Sequence, residues 1–317
     1  MGTKTVAALA LDGVITYDLA CAVQMFRRGP GRTGQPDGFD LVTCGHRPGS
    51  VWTPDGFHLD VEHGVDTLEA ADIVVVPARA PHDHPPPDDV LNALRGAHQR
   101  GAVVLSICLG AFVLAAAGLL DGRPATTHWE YCADMRRLYP RVELRPDALY
   151  VDDGDILTSA GLSAGMDLCL HVVRRELGAA AASDLARWNV MAPHRDGGQA
   201  QFIPPVRTAL GAGGLGPTLS WAAERLAEID DVSALARHAH LSLRPFNRRF
   251  AEEVGTTPKR WLDVQRATRA RELLENTDMT VESIAAQCGF GSVAAMRTHL
   301  RRVTATTPSA YRRAFRR

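Results

Sequence analysis

At 317 residues, with 45% hydrophobic and 22% charged side chains, the chain has room for about two domains and the balance of a globular protein. Six cysteines without a C-x-x-C pair or regular spacing exclude a disulfide framework, and no apolar run reaches the ~18 residues of a membrane span, so a cytoplasmic location is expected. The net charge of −1 conceals an asymmetry: residues 217–317 carry 17 Lys and Arg against 11 Asp and Glu, and residues 1–216 carry 18 against 25. A basic rear behind an acidic front suggests two tasks, the basic one directed at nucleic acid.

Taken in order, Val6–Leu11 reads as a buried strand, and Tyr17–Arg27 has helical spacing through Leu19, Val23 and Phe26. Asp40–Cys44 is a second strand. His46–His63 is punctuated by Gly and Pro and gives no clear element. Ile73–Val76 is a continuous apolar run, as in a strand buried on both faces. Asp88–Arg100 reads as a helix. Val103–Ile107 is then a strand that ends abruptly at Cys108, and a helical run with Gly110 in its first turn follows at once.

Strand, cysteine, helix is the pattern of a nucleophile elbow, which presents one side chain above a sheet. The adjoining helix N-terminus would favour the thiolate. Further on, Val142–Leu144 and Ala148–Val151 could form a small strand pair, and Ile156–Ser159 is another strand. A helix near Gly165–Leu177 is ended by Gly178, and Ala179–Val190 is one more helix. Strands alternating with helices predict a doubly wound, flavodoxin-like α/β sandwich over residues 1–202, with Cys108 at the carboxyl end of a strand where such sheets bind ligands.

Residues 203–217 read as a linker. Gly211–Gly216 matches G-x-G-x-x-G, but no strand precedes it and Pro217 follows, so a nucleotide-binding loop is rejected. Two further patterns are weak. His82-Asp83-His84 offers ligands at a spacing of two without a third partner, and Asp152–Asp155 lacks the later Glu of a calcium loop. No metal and no cofactor are expected.

Residues 218–317 contain an internal repeat. Val232-Ser-Ala-Leu235-Ala236 matches Val281-Glu-Ser-Ile284-Ala285, Phe246 and Phe250 match Met296 and Leu300, and Thr256-Thr257-Pro258 matches Thr306-Thr307-Pro308. Each copy predicts a short helix, a turn and a longer helix, an all-α domain of two helix-turn-helix units bridged by an Arg-rich helix over Trp261–Leu274. The outer face of the second helix carries Arg244, Asn247 and Arg248 in the first copy. In the second it carries Ala294, Arg297, Thr298 and Arg301. Such side chains reach base edges and phosphates, and two such helices would enter successive major grooves about 34 Å apart.

At these residues the chain resembles the AraC/XylS family of transcription regulators, most specifically over Ile284-Ala285, Cys288–Ser292 and Thr307-Pro308. The resemblance implies base- and phosphate-reading positions at Arg244, Asn247, Arg248, Arg297 and Thr298. The family usually has Arg where Thr298 stands. The front resembles the PfpI-type, class I glutamine-amidotransferase-like superfamily, through Cys108, Thr126-Thr127-His128 and Thr158–Gly161. This implies that Cys108, with His128 as a neighbouring base and Asp18 as the expected acidic residue, forms a crevice that Leu109 and Ser159 complete. PfpI-type hydrolases tend to carry His where Leu109 stands.

The expected function is a DNA-binding transcription regulator, a homodimer, whose front domain senses an unidentified small-molecule effector. The alternatives are a cysteine-elbow hydrolase of an amide or reactive carbonyl with a DNA-binding tail, and a front domain that serves only to dimerise. Oxidation of Cys108 as the signal is a further variant of the sensor.

Overall fold

In a computed structural model the chain divides into two compact units, Met1–Gln201 and Phe202–Arg317. The structure describes residues 2–27, 38–198, 201, 214–254, 256–304 and 306–316. Most of the expected linker, with the G-x-G-x-x-G match up to Gly213, lies outside them. Its last two residues do not belong to a linker: Gly216 and Pro217 open a helix, Pro217 occupying a first-turn position where its missing N–H costs nothing.

The front unit is built on a six-stranded sheet. Its strands are β1 (Lys4–Leu9), β2 (Phe39–Cys44), β5 (Ile73–Val76), β6 (Val103–Ile107), β9 (Tyr150–Asp152) and β10 (Ile156–Ser159). The order is β2-β1-β5-β6-β10-β9, parallel throughout except for the antiparallel edge pair β9–β10. Without the edge strand this is the 2-1-3-4-5 order of flavodoxin-like folds. The apolar runs are explained by it: all four residues of β5 are buried, as a central parallel strand covered on both faces requires. Helices α1 (Thr16–Phe26), α2 (Asp88–Gln99), α3 (Gly110–Ala116) and α5 (Ser163–Trp188) contribute apolar faces to the same core. A further short helix, α4 (Cys132–Leu138), follows the loop that carries His128.

Three details differ from the sequence expectation. The Gly/Pro-punctuated excursion contains an antiparallel hairpin, β3 (Gly49–Trp52) with β4 (His58–Val61). Val142–Leu144 does not pair with Ala148–Val151. Instead β8 (Glu143–Leu144) pairs in parallel with β7 (Pro124–Ala125), and Tyr150–Asp152 joins the main sheet. Two-residue strands carry no periodicity that could have told these apart. The long helix α5 breaks at Gly178, whose φ of 89° is non-helical, so two helices meet there as the glycine suggested.

The rear unit is all helical among its described residues: α6 (Gly216–Glu224), α7 (Val232–His238), α8 (Leu243–Val254), α9 (Pro258–Asn276), α10 (Val281–Gln287), α11 (Val293–Thr304) and α12 (Pro308–Phe315). The repeated T-T-P motif acts by the expected chemistry. Thr257 and Thr307 accept hydrogen bonds from the N–H groups of Arg260 and Ala310, each at 3.3 Å, with proline at the first position of α9 and α12. Asp231 and Thr280 cap α7 and α10 in the same way.

Candidate effector site and nucleic-acid interface

The elbow is formed as the strand–cysteine–helix pattern predicts. Cys108 has φ of 57°, a left-handed conformation that costs a non-glycine residue about 1–3 kcal/mol and persists only where its surroundings impose it. Here they do. The Cys108 N–H donates to the Ser159 carbonyl at 2.9 Å, and the Thr127 hydroxyl donates to the Cys108 carbonyl at 2.9 Å. Two glycines make room. A Cβ at Gly110 would lie 2.0 Å from the Val76 carbonyl oxygen, and one at Gly161 would lie 2.2 Å from the Cys108 Cβ.

Asp18, on the first turn of α1, is brought to this elbow. It is 1% exposed, and its Oδ1 accepts from the Leu162 N–H at 3.0 Å. Its other oxygen is buried without a well-formed hydrogen bond, although the Cys108 thiol is close enough to interact with the carboxyl. The contact is therefore loose. Burial raises the Asp18 pKa to about 6, against the opposing pull of the Leu162 N–H and the thiol.

The surroundings of Cys108 work against the expected thiolate. Burial, then the negative field of Asp18, push the thiol well above its ordinary value. The helix N-terminus is present, but desolvation and a like charge outweigh it. The expected Cys108–His128 pair is not formed among the described hydrogen bonds either. His128 Nδ1 accepts from the Glu130 N–H at 3.4 Å and caps a short helical turn, Trp129–Tyr131. Partial burial lowers the His128 pKa, against the opposing pull of Glu130.

Leu109 is buried at the start of α3 and offers no polar group. Ser159 supports the elbow rather than facing a ligand: it is fully buried, and its hydroxyl donates to the Ser106 carbonyl at 3.4 Å. Tyr131, which the sequence does not single out, lies beside the elbow: burial raises its pKa, with Glu130 and then Cys108 adding to the shift. Its ring meets His82 edge-on, and His82 in turn contacts Asp134 at 3.1 Å. Thus the two histidines of His82-Asp83-His84 are held by carboxylates, His84 by its neighbour Asp83. Among the described residues no cluster of three metal-binding side chains occurs. Asp152–Asp155 is the turn between β9 and β10, with Asp155 tied to Arg123 and His98.

Gln201 also escaped notice as a site residue. Its buried carboxamide donates to the carbonyls of Thr127, Pro146 and Ala148 at 3.0–3.1 Å and accepts from the Trp129 N–H at 3.1 Å. It fastens the Thr126–Trp129 loop, and so the elbow, to the end of the front unit. A glutamine before a Pro- and Gly-rich stretch carries no signal of such a role.

In the rear unit, the described faces of α8 and α11 separate cleanly. Phe246, Phe250, Met296 and Leu300 are fully buried. Arg244, Asn247, Arg248, Ala294, Arg297, Thr298 and Arg301 are exposed. The Thr298 hydroxyl donates to the Ala294 carbonyl at 3.0 Å, so it is turned along its own helix.

Compared with known families, residues 4–175 match the DJ-1/PfpI family. The chain belongs to that family. Residues 235–314 match a helix-turn-helix domain, a range that takes in nearly all of both repeat copies. The HTH-type transcriptional regulator Rv1931c of Mycobacterium tuberculosis is 32% identical over 276 residues, 78% of this chain and 96% of the relative. The HTH-type transcriptional regulator GbdR of Pseudomonas aeruginosa is 28% identical over 291 residues, 91% of this chain and 78% of that one. A crystal structure of an AraC family transcriptional regulator from Pseudomonas putida, 22% identical, superposes with a TM-score of 0.51 over 59% of this chain and 99% of that one, a likeness of fold. A DJ-1/PfpI domain ahead of an AraC-type helix-turn-helix domain makes this family member a DNA-binding transcriptional regulator.

Proposed function

We propose that the front unit is a sensor and not an enzyme, and that a small-molecule effector bound beside Cys108 and Asp18 changes how the rear units of a homodimer address paired DNA sites. The observation that carries this is the state of the elbow. Burial and Asp18 raise the pKa of the thiol, and the neighbouring histidine turns its Nδ1 to the Glu130 N–H. A nucleophile needs a thiolate or a base in contact; burial and Asp18 work against the first, and no described hydrogen bond joins Cys108 to His128. What remains is a strained, well-braced elbow beside a carboxyl that changes charge near pH 6, suited to recognition. An effector shifts the equilibrium only by its difference in affinity for the two arrangements of the dimer. Arg244, Asn247, Arg248, Arg297 and Arg301 are proposed to contact DNA, with Ala294 packing against a base and Thr298 at the edge of the interface.

One feature favours the hydrolase reading, the left-handed backbone at Cys108. Wild type and Cys108→Ala separate the two. In a thermal-shift screen of small amides, amines and carbonyl compounds, the sensor reading expects compounds that raise the melting temperature of the wild type and alter its DNA affinity without being consumed. Consumption of an amide or carbonyl compound by wild type, absent in Cys108→Ala, would reverse the assignment.

A further inference from the structure

Among the described residues, the helices of the rear unit enclose two hydrophobic cores, not one. Leu219, Phe246, Phe250 and Trp261 belong to the first, and Leu274, Ile284, Met296 and Leu300 to the second. Helix α9 runs through both. It gives Trp261 and Leu262 to one and Ala270, Leu273 and Leu274 to the other. Between these groups, on the same helix, stand two buried polar side chains, Gln265 and Arg266.

Arg266 is 9% exposed. Its Nη2 donates to the carbonyl of Ile229, at the end of the short turn Leu226–Glu228 that precedes the first helix-turn-helix. Its Nε has no partner. Asp263 and Asp230 act on it through longer-range attraction, and burial is the larger effect, lowering its pKa. On the other side is Gly289, in the turn between α10 and α11, with φ of 73°. A Cβ there would lie 2.1 Å from the Leu226 carbonyl oxygen and 3.2 Å from Arg266 Nε. The turn of the second unit thus rests backbone-to-backbone on the first unit, with the guanidinium beside the contact.

A methionine could fill this space without desolvating a charge, so stability alone does not explain an arginine here. A guanidinium differs from an apolar side chain in direction. Its planar fork bonds a carbonyl at one angle, whereas hydrophobic contacts tolerate sliding. Since the two cores are separate, this polar seam and the shaft of α9 fix one half relative to the other.

We propose that Arg266 and Gly289 form a joint that sets the spacing between the reading helices α8 and α11, and hence the spacing of the two DNA sub-sites the protein accepts. Arg266 is a positioning residue and touches no DNA. The proposal rests on the reading of duplex DNA by both helices.

The test uses the full chain. A preferred duplex is selected from a random library, its two sub-sites are mapped with Arg244→Ala and Arg297→Ala, and one base pair is inserted between them. One inserted pair rotates a sub-site by roughly 35° and moves it by about 3.4 Å. Wild type should lose about tenfold or more in affinity on the shifted duplex. Arg266→Met should bind the shifted and unshifted duplexes within about threefold of each other, and bind a single sub-site as wild type does. Arg266→Lys, which keeps the charge and loses the fork, should show the same relaxation at smaller size. Unchanged discrimination in both variants would overturn the joint. So would loss of single-sub-site binding in both, which would make Arg266 a folding residue alone. Failure of wild type to select any duplex would instead bring down the DNA reading on which the joint rests.

Discussion

Asp18 is the residue whose chemistry is least expected of a well-packed core. A carboxyl at 1% exposure with one unbonded oxygen is costly to ionise, and its raised pKa of about 6 expresses that cost. Because the folded pKa lies above the unfolded one, the native state binds the proton more tightly. Its favourable contribution is complete below about pH 4 and is lost as pH rises through about 6. At neutral pH the ionised form therefore weighs against the fold. Asp18→Asn, which keeps the acceptor for the Leu162 N–H, should raise stability at pH 7.5 by about 1–3 kcal/mol, and the gain should vanish near pH 4. Chemical denaturation at the two pH values checks this, and a gain equal at both would refute the linkage. A residue kept at such a cost is kept for the site. The sequence put Asp18 and Cys108 at the right ends of their elements, but the titration behaviour was not legible there. It depends on how completely the assembled fold buries the Asp18 carboxyl beside Cys108, which no local pattern encodes.

At the scale of elements, the elbow is a case of a backbone conformation held by its neighbours. Gly110 has to pass within contact distance of β5, and an added Cβ would meet the Val76 and Pro77 carbonyls at 2.0 and 3.0 Å. Gly110→Ala should therefore destabilise the front unit by about 3 kcal/mol or more, an overpacking effect against backbone that cannot move aside. A thermal melt that stays within a degree or two of wild type would contradict the geometry. The elements themselves were readable because their signals are local: continuous apolar runs for β5 and β6, a glycine for the break in α5, threonine and proline for the caps of α9 and α12. The small pairings were not. Which partner Glu143–Leu144 takes is decided by the loops from Pro124 to Ala148, through the Gln201 carboxamide among others, and not by its own two residues.

At the scale of the whole molecule, an acidic front and a basic rear correspond to a DJ-1/PfpI domain and a tandem helix-turn-helix domain. No described helix is long and apolar enough to cross a membrane. The two repeat copies bury equivalent residues and expose equivalent faces, which is what a protein reading two neighbouring stretches of one duplex requires. The measurement that bears most directly on this account is fluorescence anisotropy of the full chain on a duplex selected from a random library, with random competitor DNA and salt as the variables. Electrostatic binding to any duplex falls steeply with salt, whereas base reading adds a preference of about 10³ or more over random sequence. The complex should survive about a hundredfold excess of random duplex in wild type, and not in a variant lacking both Arg244 and Arg297. Equal displacement by specific and random DNA would mean that the rear unit is only a charged anchor, and the regulator reading would fail.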